Sequence, residues 1–154
     1  MSKTFQVRPA TPADADTIAD FNLAMAAETE DRGLDAERLR AGVRTALADE
    51  RCGRYLVASD AAGTTAGCLL LTLEWSDWRN GWFWWIQSVY TAPEFRGQGV
   101  YRSLYDHVLA EARAQDDVCG IRLYVEEENT KAQGVYSHLG MQRTHYQLFE
   151  IDFS

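Results

Sequence analysis

The chain has 154 residues, 46% hydrophobic, 25% charged and 12% aromatic, which suits one domain (residues 1–154) with a sizeable buried core. Asp and Glu number 23 against 15 Lys and Arg, a formal net charge of −8 at pH 7. That balance argues against a nucleic-acid partner, which calls for a basic face, and it suits solubility and long-range attraction of a cation. No run is long and apolar enough to span a bilayer, and the N-terminal MSKTFQVRP lacks an apolar signal region. The expectation is a cytoplasmic chain with no membrane partner.

Elements follow in chain order. Phe5 and Val7 alternate with polar neighbours, a first strand ending at Pro9. Thr11 before Pro12 reads as an N-cap and first helical residue, and Ile18, Phe21, Leu23 and Met25 carry a helix to about Ala27. Glu28 to Gly33 is a charged break, after which Asp35 caps a second helix through Leu39, Val43 and Leu47. Tyr55–Ala58 and Ala66–Trp75 read as strands around an AAGTT turn. Asn80-Gly81 is a hairpin signal into the strand Trp82–Thr91. Val100, Leu104, Val108 and Ala112 recur at helical spacing; Ile121, Leu123 and Val125 alternate; Thr130–Leu139 is a short helix that Gly140 can close. Tyr146, Leu148, Phe149 and Ile151 suggest a last strand.

The three cysteines fit neither a zinc nor a redox spacing, and Cys68 and Cys119, in apolar runs, read as small buried residues. His107, His138 and His145 lack metal-ligand spacing, so no metal is expected. Five tryptophans crowd residues 75–85; some must line the core, while Trp78, in the turn, is placed to be exposed and could hold a cation or bury a dimer contact.

The stretch Ile86–Leu104, IQSVYTAPEFRGQGVYRSL, carries the most information. An apolar strand enters a glycine-bearing loop, and the loop opens a helix. A helix N-terminus presents uncommitted N–H groups and the positive end of the dipole, and glycine removes the Cβ that would keep an anion away. This is a site for a phosphate-bearing ligand.

The pattern resembles the acyl-CoA-binding segment of the GNAT superfamily of N-acetyltransferases: Arg or Gln, two residues, Gly, one residue, then Gly or Ala. Arg96, Gly97, Gln98, Gly99 and Val100 match; Tyr101 departs from it, occupying the normally small last position, and its ring must point aside. Asn129, Ala132, Tyr136, Gly140 and Met141 fit the superfamily's downstream pattern. The strong likeness covers Phe83 to Met141. It implies an α/β fold: a mixed, mostly antiparallel sheet with helices on both faces and a V-shaped splay between the fourth and fifth strands, here Trp82–Thr91 and Ile121–Val125.

The resemblance also implies roles. Acetyl-CoA is the co-substrate. Backbone groups of Val89, Tyr90 and Thr91 pair with its pantetheine arm, Arg96 to Tyr101 cradle the pyrophosphate, and Asn129 caps its helix and touches the cofactor arm. Tyr136 is the general acid for the departing thiolate. Glu28, Glu30 and Asp31, in the break between the first helices, border the acceptor site. For the base, Glu74 is the first candidate. A two-residue Asn80-Gly81 turn pairs Arg79 with Trp82 and so sets Glu74 opposite Gln87, near the end of the fourth strand.

These readings converge on acetyl transfer to a primary amine by direct attack in a ternary complex, with a small cationic amine favoured over a protein amine. A non-catalytic acyl-CoA sensor or interaction module on the same fold is the alternative. A dinucleotide binder is disfavoured because the loop lacks the three-glycine fingerprint. The hairpin and the last strand offer edges for a homodimer, on fold analogy.

Overall fold

A computed structural model describes residues 3–29 and 34–154. The chain forms two compact units, Met1–Leu123 and Tyr124–Ser154. The first holds strand β1 (Gln6–Pro9), helices α1 (Ala15–Thr29) and α2 (Ala36–Ala48), strands β2 (Arg54–Ser59), β3 (Thr65–Ser76) and β4 (Gly81–Thr91), helix α3 (Val100–Arg113) and strand β5 (Val118–Arg122). The second holds helix α4 (Thr130–His138).

A 3-10 turn over Pro12–Asp14 leads into α1. The Asp14 carboxylate fixes this entry by accepting from the Thr11 N–H at 2.7 Å and from both Arg8 terminal nitrogens at 2.8 and 3.0 Å. Helix α1 runs to Thr29, so Glu28 lies on its last turn and not in a break. Asp35 caps α2 by accepting from the N–H groups of Glu37 and Arg38 at 3.1 and 3.2 Å.

The sheet order is β1-β2-β3-β4-β5, with the first four strands antiparallel and β5 parallel to β4. A parallel neighbour demands a crossover, which α3 supplies. Strand alternation splits the core in two. On one face Tyr55, Val57, Cys68 and Tyr90 pack with Ile18 and Ala19 of α1 and Val43 and Ala46 of α2. On the other, Leu56, Leu69 and Leu71 are fully buried, as are Leu104 and Val108 of α3. Each such side chain stabilises the fold by about 1.5–3 kcal/mol.

Three features of the sheet shape the site. The β4–β5 ladder ends at Trp85 opposite Arg122, the last residue of β5, while β4 runs on to Thr91 and so outruns its neighbour. Between Cys68 and Leu70 the β3–β4 register shifts, because Ser88 takes a left-handed φ of 51° and bulges β4. Gly67 lies under the start of α3: a Cβ there would stand 2.6 Å from the Tyr90 carbonyl oxygen and 2.8 Å from Val100 Cγ1.

Several sequence expectations change. The hairpin loop spans Asp77–Asn80, with Ser76 opposite Gly81, so the two-residue turn does not form. Asn80 takes the left-handed φ of 49°, and Gly81 opens the strand, where its lack of a Cβ admits the Asp117 carbonyl, 3.0 Å from where that atom would stand. Glu74 consequently pairs with Phe83, and Gln87 with Leu70. Strand β5 covers Val118–Arg122, earlier than expected, and Cys119 on this edge strand is exposed. The expected last strand is absent: residues 142–154 form no ladder, and Tyr146, Leu148, Phe149 and Ile151 are exposed. Apolar alternation makes a strand only beside a partner, and the second unit contains no other strand among the described residues. No helix among the described residues is long and apolar enough to cross a membrane.

Candidate active site

The loop from β4 to α3 is built from backbone. Pro93–Phe95 makes a 3-10 turn, and Gly97 and Gly99 then take left-handed φ of 75° and 89°. Gly99 is the N-cap of α3 and lends no side chain to its amides. Among the described residues, the N–H groups of Gly97, Gln98, Gly99, Val100 and Arg102 donate no hydrogen bond. Nothing stands within 4 Å of a Cβ placed at Gly97 or Gly99, so the side of each glycine where a side chain would lie is open. Uncommitted N–H groups at the positive end of a helix dipole, beside two glycines, fit a diphosphate. The Gln98 amide braces the loop by donating to the Glu94 carbonyl at 2.9 Å. The Tyr101 ring is turned along α3, 6.2 Å from the buried Tyr105 ring. It therefore lies aside, and the departure at this position leaves the loop formed.

Beyond Trp85 no ladder with β5 covers the edge of β4, along which lie Val89, Tyr90 and Thr91, and the Thr91 carbonyl accepts from Arg96 Nε. Backbone groups on such an edge require partners.

A strand delivering a chain into this loop, within this sheet order, accords with a sequence comparison. Residues 18–141 match the model of the Acetyltransferase (GNAT) family. The chain belongs to that family. Among solved structures, a possible acetyltransferase from Clostridium difficile 630 is 39% identical, with a TM-score of 0.91 over 97% of this chain and 98% of that one. A probable acetyltransferase is 21% identical, TM-score 0.84, over 97% and 98%. A predicted acetyltransferase with acetyl-CoA from Clostridium acetobutylicum is 18% identical, TM-score 0.75, over 97% and 96%; these last two likenesses show the fold. No curated protein sequence matches the chain.

In this GNAT chain the α1/α2 face of the sheet carries the polar side chains of β3 and β4. Glu74 Oε1 accepts from Trp85 Nε1 at 3.0 Å and from Arg122 Nη1 at 2.9 Å. The Arg122 guanidinium in turn lies 3.6 Å from the centroid of the Phe83 ring. Gln87 donates from Nε2 to Thr72 Oγ1 at 2.6 Å. The observed register sets Glu74 nearer the hairpin than expected, by roughly 13 Å at ~3.3 Å per residue, but on the expected face.

Toward the end of β4, Tyr90 OH donates to Glu28 Oε1 at 3.0 Å, and Arg96 Nη2 donates to Glu28 Oε2 at 2.7 Å. Arg96 Nε also donates to the Thr91 carbonyl at 3.1 Å. The Arg96 hydrogen bond, helped by that of Tyr90, holds the Glu28 carboxyl below the usual carboxylate range against partial burial. Burial first, and then the Glu28 carboxylate, push the Tyr90 phenol up. Glu30 and Asp31, the other acceptor-side candidates, lie outside the described residues.

The second unit holds the remaining candidates. Asn129 caps α4 by accepting from the Ala132 N–H at 3.1 Å. Gly140, at φ 94°, ends the helix, with Met141 N–H donating to the Tyr136 carbonyl at 3.0 Å and Gly140 N–H to that of Ser137 at 3.1 Å. Tyr136 is half-buried, and burial pushes its phenol up.

Reading the sequence missed Arg122 and Trp85 as partners of Glu74. The apolar alternation in Ile121, Leu123 and Val125 drew the eye to the opposite face, and nothing short-range ties position 122 to position 74. The Glu28–Tyr90–Arg96 cluster is likewise not evident as a unit from the sequence, although each member is a candidate by itself.

Proposed function

We propose that the chain is an acetyl-CoA-dependent N-acetyltransferase acting in the cytoplasm on a primary amine, with a small cationic amine as its substrate class. The left-handed glycine loop ahead of α3, with its uncommitted amides, carries this reading, and family membership supports it. The loop Arg96–Tyr101 would hold the diphosphate, the unladdered edge at Val89, Tyr90 and Thr91 the extended arm, and Asn129 would contribute beside it. Bound acetyl-CoA supplies an acetyl thioester, the activated acyl donor.

The chain's own residues then bind, orient and move protons. Backbone donors near Val89 orient and polarise the carbonyl. Glu74, fixed by Trp85 and Arg122, pairs with Phe83, about 20 Å along β4 from Val89 at ~3.3 Å per residue. It would take the proton of the attacking ammonium through a chain of waters, not directly. The Tyr136 phenol gives its proton to the departing sulfur. Glu30 and Asp31 would add negative charge that favours a positively charged acceptor, with Glu28 and the neutral Gln87 amide bordering the same side. Attack in a ternary complex leaves no covalent enzyme intermediate.

Thermal unfolding with acetyl-CoA, free CoA and NAD tests the reading. A ligand at about 100 times its Kd adds about 2.7 kcal/mol to stability, so both CoA forms should raise the midpoint and NAD should not. No shift with either CoA form would remove the cofactor assignment. Thiol release across a panel of amines then separates an enzyme from a sensor that binds without turnover.

A further inference from the structure

Arg96 is the one side chain of the phosphate loop that could bring a full charge to a diphosphate, yet its guanidinium is engaged elsewhere. Its Nε closes the turn out of β4 onto the Thr91 carbonyl at 3.1 Å, and its Nη2 reaches Glu28, 68 positions away in sequence, at 2.7 Å. Glu28 answers with both oxygens, since the second accepts from Tyr90 OH at 3.0 Å. The guanidinium lies over the Tyr90 ring, 5.5 Å from its centroid, and that ring packs 5.1 Å from Phe21 of α1. One residue on the last turn of α1 thus balances the Arg96 charge and ties the loop to the helix.

The geometry points to Glu28 as a positioning residue for the phosphate loop. It holds Arg96 as a strut between α1 and the β4–α3 turn, and the diphosphate is left to the backbone amides. The inference deepens the acetyl-CoA reading and rests on it. It also joins the two halves of the site, because Glu28 sits where the acceptor side begins.

Two roles for Arg96 predict opposite signs. If Arg96 were a phosphate ligand, Glu28 would compete for it, and Glu28→Gln would tighten acetyl-CoA binding. As a strut, Glu28→Gln loosens the loop and weakens binding, Arg96→Gln does the same, and the double variant loses no more than either. The tie is half-exposed, so each single loss should be about threefold to tenfold in Kd. Arg96→Lys should behave like Arg96→Gln, because an ammonium cannot span Thr91 and Glu28 as the planar fork does. A phosphate ligand would instead tolerate Lys.

The experiment measures acetyl-CoA affinity by calorimetry for the wild type and these four variants, together with amide exchange over 97–102 without ligand. Weaker binding and faster loop exchange in Glu28→Gln, with non-additivity in the double variant, are the expected results. Unchanged or tighter binding in Glu28→Gln, or unchanged exchange, would overturn the proposal. If the wild type itself failed to bind acetyl-CoA, the cofactor reading would fall with the positioning role, while the exchange data would still report whether the tie holds the loop.

Discussion

Trp85 and Glu74 meet on one face of the β3–β4 hairpin, where the indole N–H donates to Glu74 Oε1 at 3.0 Å. They are diagonal neighbours, Trp85 opposing Thr72 and Glu74 opposing Phe83. Together with Arg122 the indole fixes the carboxylate on the sheet. Glu74→Gln keeps the shape and an oxygen for Trp85 but removes the proton acceptor. Its kcat with a turned-over amine should fall by about 100-fold, with acetyl-CoA affinity unchanged by calorimetry. An unchanged kcat would mean that another group takes the proton.

Tyr136→Phe should lower kcat by about 100-fold and leave acetyl-CoA binding as it was. Burial pushes the phenol above its ordinary value of 10.0, so its proton is retained through neutral pH. The wild-type rate should accordingly show no loss of this acid below about pH 10. A full-rate Phe variant would mean that water or another group protonates the departing thiolate.

Gly99→Ala places a side chain at φ 89° with nothing near it, so the cost is backbone strain alone. Stability should fall by about 1–2 kcal/mol, measured by denaturant titration. If the loop relaxes to relieve the strain, the acetyl-CoA-induced rise in midpoint should shrink as well.

The Arg8–Asp14 pair predicts acid behaviour. The Arg8 hydrogen bond, with the Thr11 N–H, holds the Asp14 carboxyl below its ordinary value of 3.8. A lowered folded-state value means that the contribution is complete above the unfolded value and is lost as pH falls through the folded one. Asp14→Asn should cost about 1–3 kcal/mol at neutral pH and flatten the fall in stability below pH 4. A variant with the wild-type acid profile would place the sensitivity elsewhere.

The strand–loop–helix segment was legible because its chemistry lies in glycines and main-chain donors, which sequence spacing marks directly. The hairpin register was not, since Asn80-Gly81 locates a turn without giving the loop length. The longer loop moved Glu74 from Gln87 to Phe83, yet an even displacement kept it on its face. Cys119 followed its apolar neighbours in pattern but sits on an edge strand and is exposed. Contacts such as Glu28 to Arg96 depend on how α1 lies on the sheet, which no local pattern states.

Gly67 gives the site a ruler. With no side chain at this position, Val100 can settle against β3 and the Tyr90 carbonyl can lie close beside it. The height of the α3 N-terminus above the sheet, and hence the span from the loop amides to the backbone of β4, is set by that missing Cβ. A cofactor that touches both ends must match this span in length. Adding one methyl at position 67 would push Tyr90 and Val100 apart from β3 and so change that span without replacing any residue of the loop or of β4.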